Sequence, residues 1–178
     1  MPSFTCRKKC CAIQYEMCKR VPCNTNWSNS KAGAFIYDPY KRKILLVQSN
    51  GMLWGPPKGS RQYRESYKAC AIREVYEETG INLDITELNR HIRVGTASFY
   101  YYVERSETPV KVQTNEDLQA NDANAIGWIN IDCLLNLIEA GSIVLTSHAN
   151  IVLYRFLGIV IDYPTFTVVK RKAKKVVV

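Results

Sequence analysis

The residues best suited to chemistry are three glutamates, Glu74, Glu77 and Glu78, at spacings i, i+3 and i+4. In a helix these spacings make side chains neighbours, so three carboxylates would share one face. Such like-charge pairs cost about 0.2–0.5 kcal/mol each, and the C-terminal end of a helix dipole disfavours anions. A divalent cation such as Mg²⁺ or Mn²⁺ would remove both penalties, because it binds carboxylate oxygens. A solvated acidic helix end gives the same pattern, and spacing alone does not separate the two.

The helix that positions the glutamates is predicted to end at Gly80, where a left-handed residue is expected. Its opposite side is predicted to be apolar and to pack against the rest of the fold. At about 100° per residue, that side carries Ala69, Ile72, Val75, Tyr76 and Thr79.

The glutamates belong to a longer pattern, Gly-x5-Glu-x7-Arg-Glu-Val-x-Glu-Glu-x-Gly-Ile, which starts at Gly59 and has nine specified positions. This pattern resembles the signature of the Nudix hydrolases at every fixed position. The resemblance implies an α/β/α sandwich with a mixed central sheet, and hydrolysis of a nucleoside diphosphate linked to another group. It implies metal ligation by Glu74, Glu77, Glu78 and the backbone carbonyl of Gly59, with Glu65 and Arg73 as a pair that supports the catalytic residues.

The flanking residues narrow the resemblance. The segments 53–59 and 70–80 are similar to the catalytic domain of the mRNA-decapping Nudix enzymes, which occur in eukaryotes and in large cytoplasmic DNA viruses. That likeness implies capped mRNA as partner and a cytoplasmic location, in the host if the protein is viral. Pro56 departs from the bulky residue usual in those enzymes, and Trp54-x-Pro56-Pro57-Lys58-Gly59 also resembles the diadenosine tetraphosphate hydrolases. Hydrolysis of dinucleoside or diphosphoinositol polyphosphates therefore stays open, as does a Nudix scaffold that binds without turnover.

Further site residues are predicted around this helix. Lys58 is placed to meet a phosphate oxygen, unless it is a solvated loop lysine. Decapping enzymes have an acidic residue six positions before a tryptophan, at the metal site or as general base, and Asp122 holds that position before Trp128. Its side chain is one methylene shorter than the usual glutamate. Glu77 is the other candidate for the general base, and Glu116 is a second acidic candidate in the loop.

A methylated, positively charged base would be recognised by stacking on an aromatic ring. Trp54, Tyr63 and Tyr100 are the candidates for this role. Packing in the core or at a sheet edge is the alternative for the aromatic segment that contains Tyr100.

Composition is typical of a globular domain. The chain has 178 residues, 47% of them hydrophobic, and a net charge of +8. The length suits one domain with a sizeable core, and the charge favours a polyanionic partner, with RNA as the natural candidate. We expect no membrane contact, because no apolar run approaches the roughly 20 residues of a membrane span. No signal peptide is recognisable at the N-terminus.

We divide the chain into a basic, Cys-rich N-terminal segment (1–29), a Nudix domain (30–168) and a basic tail (169–178). The first segment contains Cys6-x3-Cys10-x7-Cys18-x4-Cys23, whose outer spacings suit a structural Zn²⁺ site although the central gap is short. Reduced cysteines packed on the domain are the alternative. Cys70 and Cys133 are expected to be small buried hydrophobes.

Secondary structure is predicted around these residues. Two strands with a turn at Asp38-Pro39 are expected in Ala32–Val47, and an aromatic strand, with one set of rings exposed, in Ile92–Val103. Further strands are expected at Val110–Val112 and Trp128-Ile129, and helices at Asp132–Ala140 and Thr146–Val160. His91 and His148 lack metal-ligand spacing and are predicted to be structural or surface residues.

Overall fold

A computed structural model of the chain describes residues 3–6, 8–15, 30–49, 52–112 and 123–159. The described residues form nine strands and three α-helices, with a short 3₁₀ turn at Ile85–Glu87. The strands are β1 (Ser3–Thr5), β2 (Ala12–Tyr15), β3 (Lys31–Asp38), β4 (Lys43–Ser49), β5 (Leu53–Gly55), β6 (Lys58–Ser60), β7 (Arg90–Val94), β8 (Ser98–Glu104) and β9 (Ala125–Asn130). The helices are α1 (Tyr67–Thr79), α2 (Ile131–Glu139) and α3 (Ser147–Leu157).

The described strands form one mixed sheet in the order β1-β2-β9-β4-β3-β8-β7, with β5 paired to β4 and β6 paired to β3. The pair β3–β8 is parallel, whereas its neighbours β3–β4 and β7–β8 are antiparallel. Continuous apolar runs in β3 and β4 suit strands that are covered on both faces. The predicted mixed central sheet between helices is confirmed.

Each face of the sheet carries its own core. On one face, Ile36 and Leu45 pack with Val75 of α1. On the other, Phe35 and Leu46 pack with residues of α2 and α3 such as Leu134 and Val152. Helix α3, expected within Thr146–Val160, packs on this second face.

The aromatic segment differs from its prediction in two ways. It divides into β7 and β8 at Gly95, whose φ is 62°. Tyr100 and Tyr101 are both buried, although an exposed alternate set was expected. The reason is that β8 lies between β3 and β7, with core packing on both of its faces.

Two further differences concern strands. The strand predicted at Val110–Val112 is wrong, since no strand occurs over the described residues 105–112, although the Val112 side chain is buried in the core beneath α1. The hairpin of β1 and β2 was not predicted, and β2 joins the sheet by pairing with β9, with Ala12 opposite Trp128. Predictions for Asp122, Glu116, Cys18, Cys23 and the tail fall outside the described residues.

Candidate active site

Helix α1 is capped at both ends, and its end at Gly80 is the one predicted. The hydroxyl of Ser66 accepts a hydrogen bond from the backbone N–H of Ala69 at 3.1 Å, which caps the N-terminus. At the other end Gly80 has φ 75°, and its N–H donates to the carbonyl of Tyr76 at 2.8 Å. The left-handed conformation favours glycine at this position.

The buried face of α1 is not the one predicted. Glu74 and Glu78 are only 7% and 4% exposed, whereas Tyr76 is 46% exposed and Ala69 is also exposed. Val75 and Thr79 are buried as expected. The helix is thus turned so that two carboxylates lie inside the protein, and the adjacent strand β6 provides the reason.

Two glycines allow β6 to lie close to β3 and to α1. A Cβ atom at Gly59 of β6 would overlap the carboxylate of Glu74. A Cβ atom at Gly33 of β3 would overlap the carbonyl oxygen of Pro57, just before β6. Without side chains at these positions, β6 lies close to both β3 and α1, and the glutamates meet its backbone. The N–H of Lys58 donates to Oε2 of Glu78 at 2.8 Å.

The guanidinium of Arg73 hydrogen-bonds to three of the acidic residues. Its Nε and Nη2 donate to Oε1 and Oε2 of Glu65 at 2.8 and 3.0 Å, a bidentate pair. Its Nη1 donates to Oε1 of Glu74 at 2.7 Å and to Oε2 of Glu77 at 2.9 Å. Nη2 also donates to the carbonyl of Ser60 at 3.0 Å, which ties the pair to β6. The structure therefore brings together the five charged residues that the sequence pattern singled out on and before α1.

The electrostatics of this cluster suit a cation. Burial raises the pKa of Glu74 to about 7, and the charges of Glu77 and Glu65 add to the rise, although Arg73 opposes it. Burial also acts to raise the pKa of Glu65, but hydrogen bonds from Arg73 and the Gln62 N–H hold that pKa below its usual range. The burial that raises this pKa disfavours the charged form of the carboxylate, and a bound cation would stabilise that form. Carboxylate oxygens are the hard donors that Mg²⁺ and Mn²⁺ prefer. Glu74 lies against Gly59, Glu78 meets the backbone of Lys58, and Glu77 is joined to Glu74 through Arg73.

A groove of about 380 Å³ meets the cluster through Lys58, which lines the groove and whose backbone N–H binds Glu78. The side chains that line it include Lys31, Lys58, Thr146 and His148, the last two at the N-terminus of α3. Nδ1 of His148 lies 3.1 Å from the hydroxyl of Tyr100, and burial followed by the charges of Lys58 and Lys31 lowers the pKa of His148. Sequence reasoning missed this groove, because Lys31 and His148 are far apart in the chain and follow no motif.

Residues 28–145 match the family model described as the NUDIX domain. The chain belongs to the Nudix family. It is 33% identical to protein 111R of Invertebrate iridescent virus 3, named as a hydrolase, over 144 residues that cover 77% of this chain and 82% of that one. It is 32% identical to mRNA-decapping enzyme subunit 2 of Arabidopsis thaliana over 108 residues, 57% of this chain and 28% of that protein. This chain thus spans under a third of the Arabidopsis protein.

Solved structures agree on the fold. Dihydroneopterin triphosphate pyrophosphohydrolase of Escherichia coli matches with a TM-score of 0.53 at 14% identity, covering 75% of this chain and 97% of that one. The family match over 28–145 and the viral relative identify a Nudix hydrolase that acts on phosphorus-containing anhydrides. Nudix hydrolases generally use Mg²⁺ or Mn²⁺.

The three aromatic candidates for base stacking differ in solvent exposure. Trp54 and Tyr100 are each 1% exposed and belong to the core, so neither ring offers a free face to a nucleobase. Tyr63 is 88% exposed, in the loop between β6 and α1, with the guanidinium of Arg64 over its ring at 5.1 Å. Stacking on a base is therefore proposed for Tyr63 in place of the two buried rings.

No helix in the described part of the chain is long and apolar enough to cross a membrane.

The raised pKa of Glu74 predicts a pH-dependent affinity for Mn²⁺. A ligand with a pKa of about 7 must lose its proton before it binds the ion, so affinity should fall as pH falls through 7. One such proton predicts about tenfold weaker binding at pH 6 than at pH 8. Isothermal titration calorimetry in buffers of different ionisation enthalpy measures both the affinity and the proton released. A Glu74→Gln variant should bind more weakly and lose this pH dependence; equal affinities at pH 6 and pH 8 in the native chain would contradict the assignment.

Proposed function

We propose that this Nudix hydrolase removes the 5′ cap of mRNA, releasing 7-methylguanosine diphosphate and RNA with a 5′-monophosphate. The observation that carries the proposal is the similarity to relatives named for this activity. Besides the Arabidopsis protein, an m7GpppN-mRNA hydrolase of Caenorhabditis elegans is 32% identical over 111 residues, 57% of this chain and 14% of that protein. The substrate would be met in the cytoplasm, which is the host cytoplasm for a viral enzyme.

The charge distribution supports a polyanionic substrate. Lys31 and Lys58 line the groove beside the carboxylates, and the N-terminus of α3 at Thr146 opens onto the same space. Helix N-termini and lysines both attract phosphate oxygens. The chain as a whole has a net charge of +8, which also attracts phosphates. A long RNA carries many phosphates and therefore suits this charge better than a small nucleotide does.

The residues of α1 suggest how the reaction proceeds. Glu74, Glu77 and Glu78 would hold Mg²⁺ or Mn²⁺, with the Gly59 carbonyl as a further ligand. Bound metal would supply Lewis-acid stabilisation of phosphate charge and a more acidic water. Glu65 would position Arg73, which in turn orients Glu74 and Glu77.

The chain's own groups would complete the hydrolysis. The side chain of Lys58 would bind a phosphate oxygen in the groove. Glu77 or Asp122 would accept the proton of the attacking water, whose oxygen forms a new bond to phosphorus as the P–O bond of the anhydride breaks. The bridging oxygen of the broken bond remains on the leaving phosphate, which is one product. The oxygen of the water is incorporated into the phosphate of the other product.

Hydrolysis of a dinucleoside or diphosphoinositol polyphosphate is the second candidate. The Trp54-x-Pro56-Pro57-Lys58-Gly59 flank favours it, and a groove of about 380 Å³ is large enough for a small ligand. The two candidates differ in their dependence on salt. Binding of RNA through several lysines weakens steeply as salt rises, whereas turnover of a small nucleotide should change little.

A comparison of three substrates tests the proposal. RNA with a labelled cap is incubated with Mn²⁺ or Mg²⁺, beside free cap analogue and diadenosine tetraphosphate, and the products are separated. We expect 7-methylguanosine diphosphate from capped RNA, with a kcat/KM at least about tenfold above that for either small substrate and a strong salt dependence. A Glu78→Gln variant should release far less product, and Glu139→Gln, altered at an exposed residue of α2, is its matched control for charge. Faster turnover of diadenosine tetraphosphate would overturn decapping in favour of the second candidate.

A further inference from the structure

Four cysteines meet at the edge of the sheet, remote in sequence from the catalytic helix. Cys6 follows β1, Cys10 and Cys11 precede β2, and Cys133 lies in the first turn of α2. The pairing of β2 with β9 explains the meeting. Because Ala12 lies opposite Trp128, the residues before β2 run past the end of β9 to the start of α2.

The sulfur atoms are close enough to share one ion. Sγ of Cys10 lies 3.1 Å from Sγ of Cys133, 3.5 Å from that of Cys6 and 3.8 Å from that of Cys11. All four lie within 4.8 Å of one another. A disulfide would need a separation of about 2.05 Å, and all four are free thiols here. Four thiolates around Zn²⁺, each at about 2.3 Å, lie about 3.8 Å apart, and the observed separations fall around that value.

The surrounding structure holds the sulfurs in place. Cys6, Cys11 and Cys133 are buried and Cys10 is half-buried. The backbone N–H of Asn130 donates to Sγ of Cys11 at 3.2 Å, a contact of the kind that stabilises thiolate ligands. The loop between the strands is closed by the N–H of Lys9, which donates to the carbonyl of Cys6 at 2.8 Å.

Charge and access also suit a thiolate site. Cys133 lies at the N-terminal end of α2, where the helix dipole favours negative charge. Lys8 lines a cavity of about 510 Å³ together with Cys6 and Cys133, which offers an ion a route to the sulfurs. Soft sulfur donors in a set of four select Zn²⁺ over the hard cations that suit the glutamates of α1.

We propose that Cys6, Cys10, Cys11 and Cys133 bind one structural Zn²⁺, each thiol giving up its proton on binding. The ion fastens the hairpin of β1 and β2 to the start of α2. This set keeps Cys6 and Cys10 of the sequence-based zinc prediction and replaces Cys18 and Cys23 by Cys11 and Cys133. Cys133 is buried as predicted, and its thiol also lies against that of Cys10, so that it can act as a ligand as well as a core residue.

Metal analysis of the full chain tests the site independently of hydrolysis. We expect about one zinc per chain after dialysis, and replacement by Co²⁺ should give the intense sulfur-to-metal charge-transfer absorption of thiolate ligands, which carboxylates do not produce. Cys133→Ser and Cys10→Ser should lose both signals. Cys18→Ser and Cys23→Ser are the matched controls and should keep them.

Thiol protection gives a readout that does not depend on a variant folding. In the native chain a maleimide should modify Cys10, the half-buried member of the set, only after a chelator removes zinc, and in denaturant without chelator zinc release should accompany modification of all four. Native protein without zinc, a Cys10–Cys133 disulfide in the mass spectrum, or zinc retained by Cys133→Ser and lost by Cys18→Ser would each overturn the proposal.

Discussion

Replacement of Glu78 by glutamine is expected to lower kcat by roughly 10²–10⁴-fold while the fold is kept. Glu78 is 4% exposed and accepts the N–H of Lys58, and a glutamine carbonyl can still accept that hydrogen bond. The substitution therefore removes a negative charge from the metal-binding face but little packing. We expect a change of about 1 kcal/mol or less in the free energy of unfolding.

Two measurements separate these effects. Steady-state hydrolysis gives kcat for the native chain and for Glu78→Gln, and chemical denaturation gives their stabilities. Glu139→Gln carries the same chemical change on an exposed surface and should match the native chain in both assays. A Glu78→Gln variant with native kcat would remove Glu78 from the catalytic metal site, and one that fails to fold would show that its charge is structural.

Replacement of Gly59 by alanine is expected to abolish most activity through sterics alone. The added Cβ would overlap the carboxylate of Glu74, which is held from the other side by Nη1 of Arg73. Either Glu74 leaves its position or β6 moves away from α1, and both disturb the predicted metal ligands. We expect kcat/KM to fall by about 10²-fold or more, together with weaker binding of Mn²⁺.

Ser60→Ala is the matched control for Gly59→Ala, one residue further along β6. Arg73 contacts the backbone carbonyl of Ser60 rather than its side chain in the bond described above, so this control should keep near-native activity. Mn²⁺ affinity and kcat/KM are measured for both variants. Normal affinity and normal turnover in Gly59→Ala would contradict the close packing of β6 against Glu74.

The existence of α1 and its end at Gly80 were predicted, because their signals are local. The spacing of the three glutamates and the glycine at position 80 act within a few turns of one helix, whereas the cap at Ser66 was not predicted. The burial of Glu74 and Glu78 could not be read from that periodicity. It depends on Gly33 and Gly59, which let strand β6 approach, and an amphipathic pattern assigns carboxylates to solvent by default.

The features that were missed depend on distant parts of the chain. Lys31, the first residue of β3, and His148, in the first turn of α3, line the same groove, and neither residue follows a local motif. Cys10 and Cys133 are 123 positions apart and meet only through the pairing of β2 with β9. Strands of three or four residues, such as β1 and β2, carry too little periodicity to be predicted alone.

The most direct test of the catalytic site is a crystal structure of the full chain soaked with Mn²⁺, with the ions located by anomalous scattering. The predicted result is density within about 2.0–2.3 Å of carboxylate oxygens of Glu74, Glu77 and Glu78 and near the carbonyl of Gly59. The same crystals of Glu78→Gln should lose that density or show it much reduced. Mn²⁺ bound elsewhere, with no density at the three glutamates, would contradict the account.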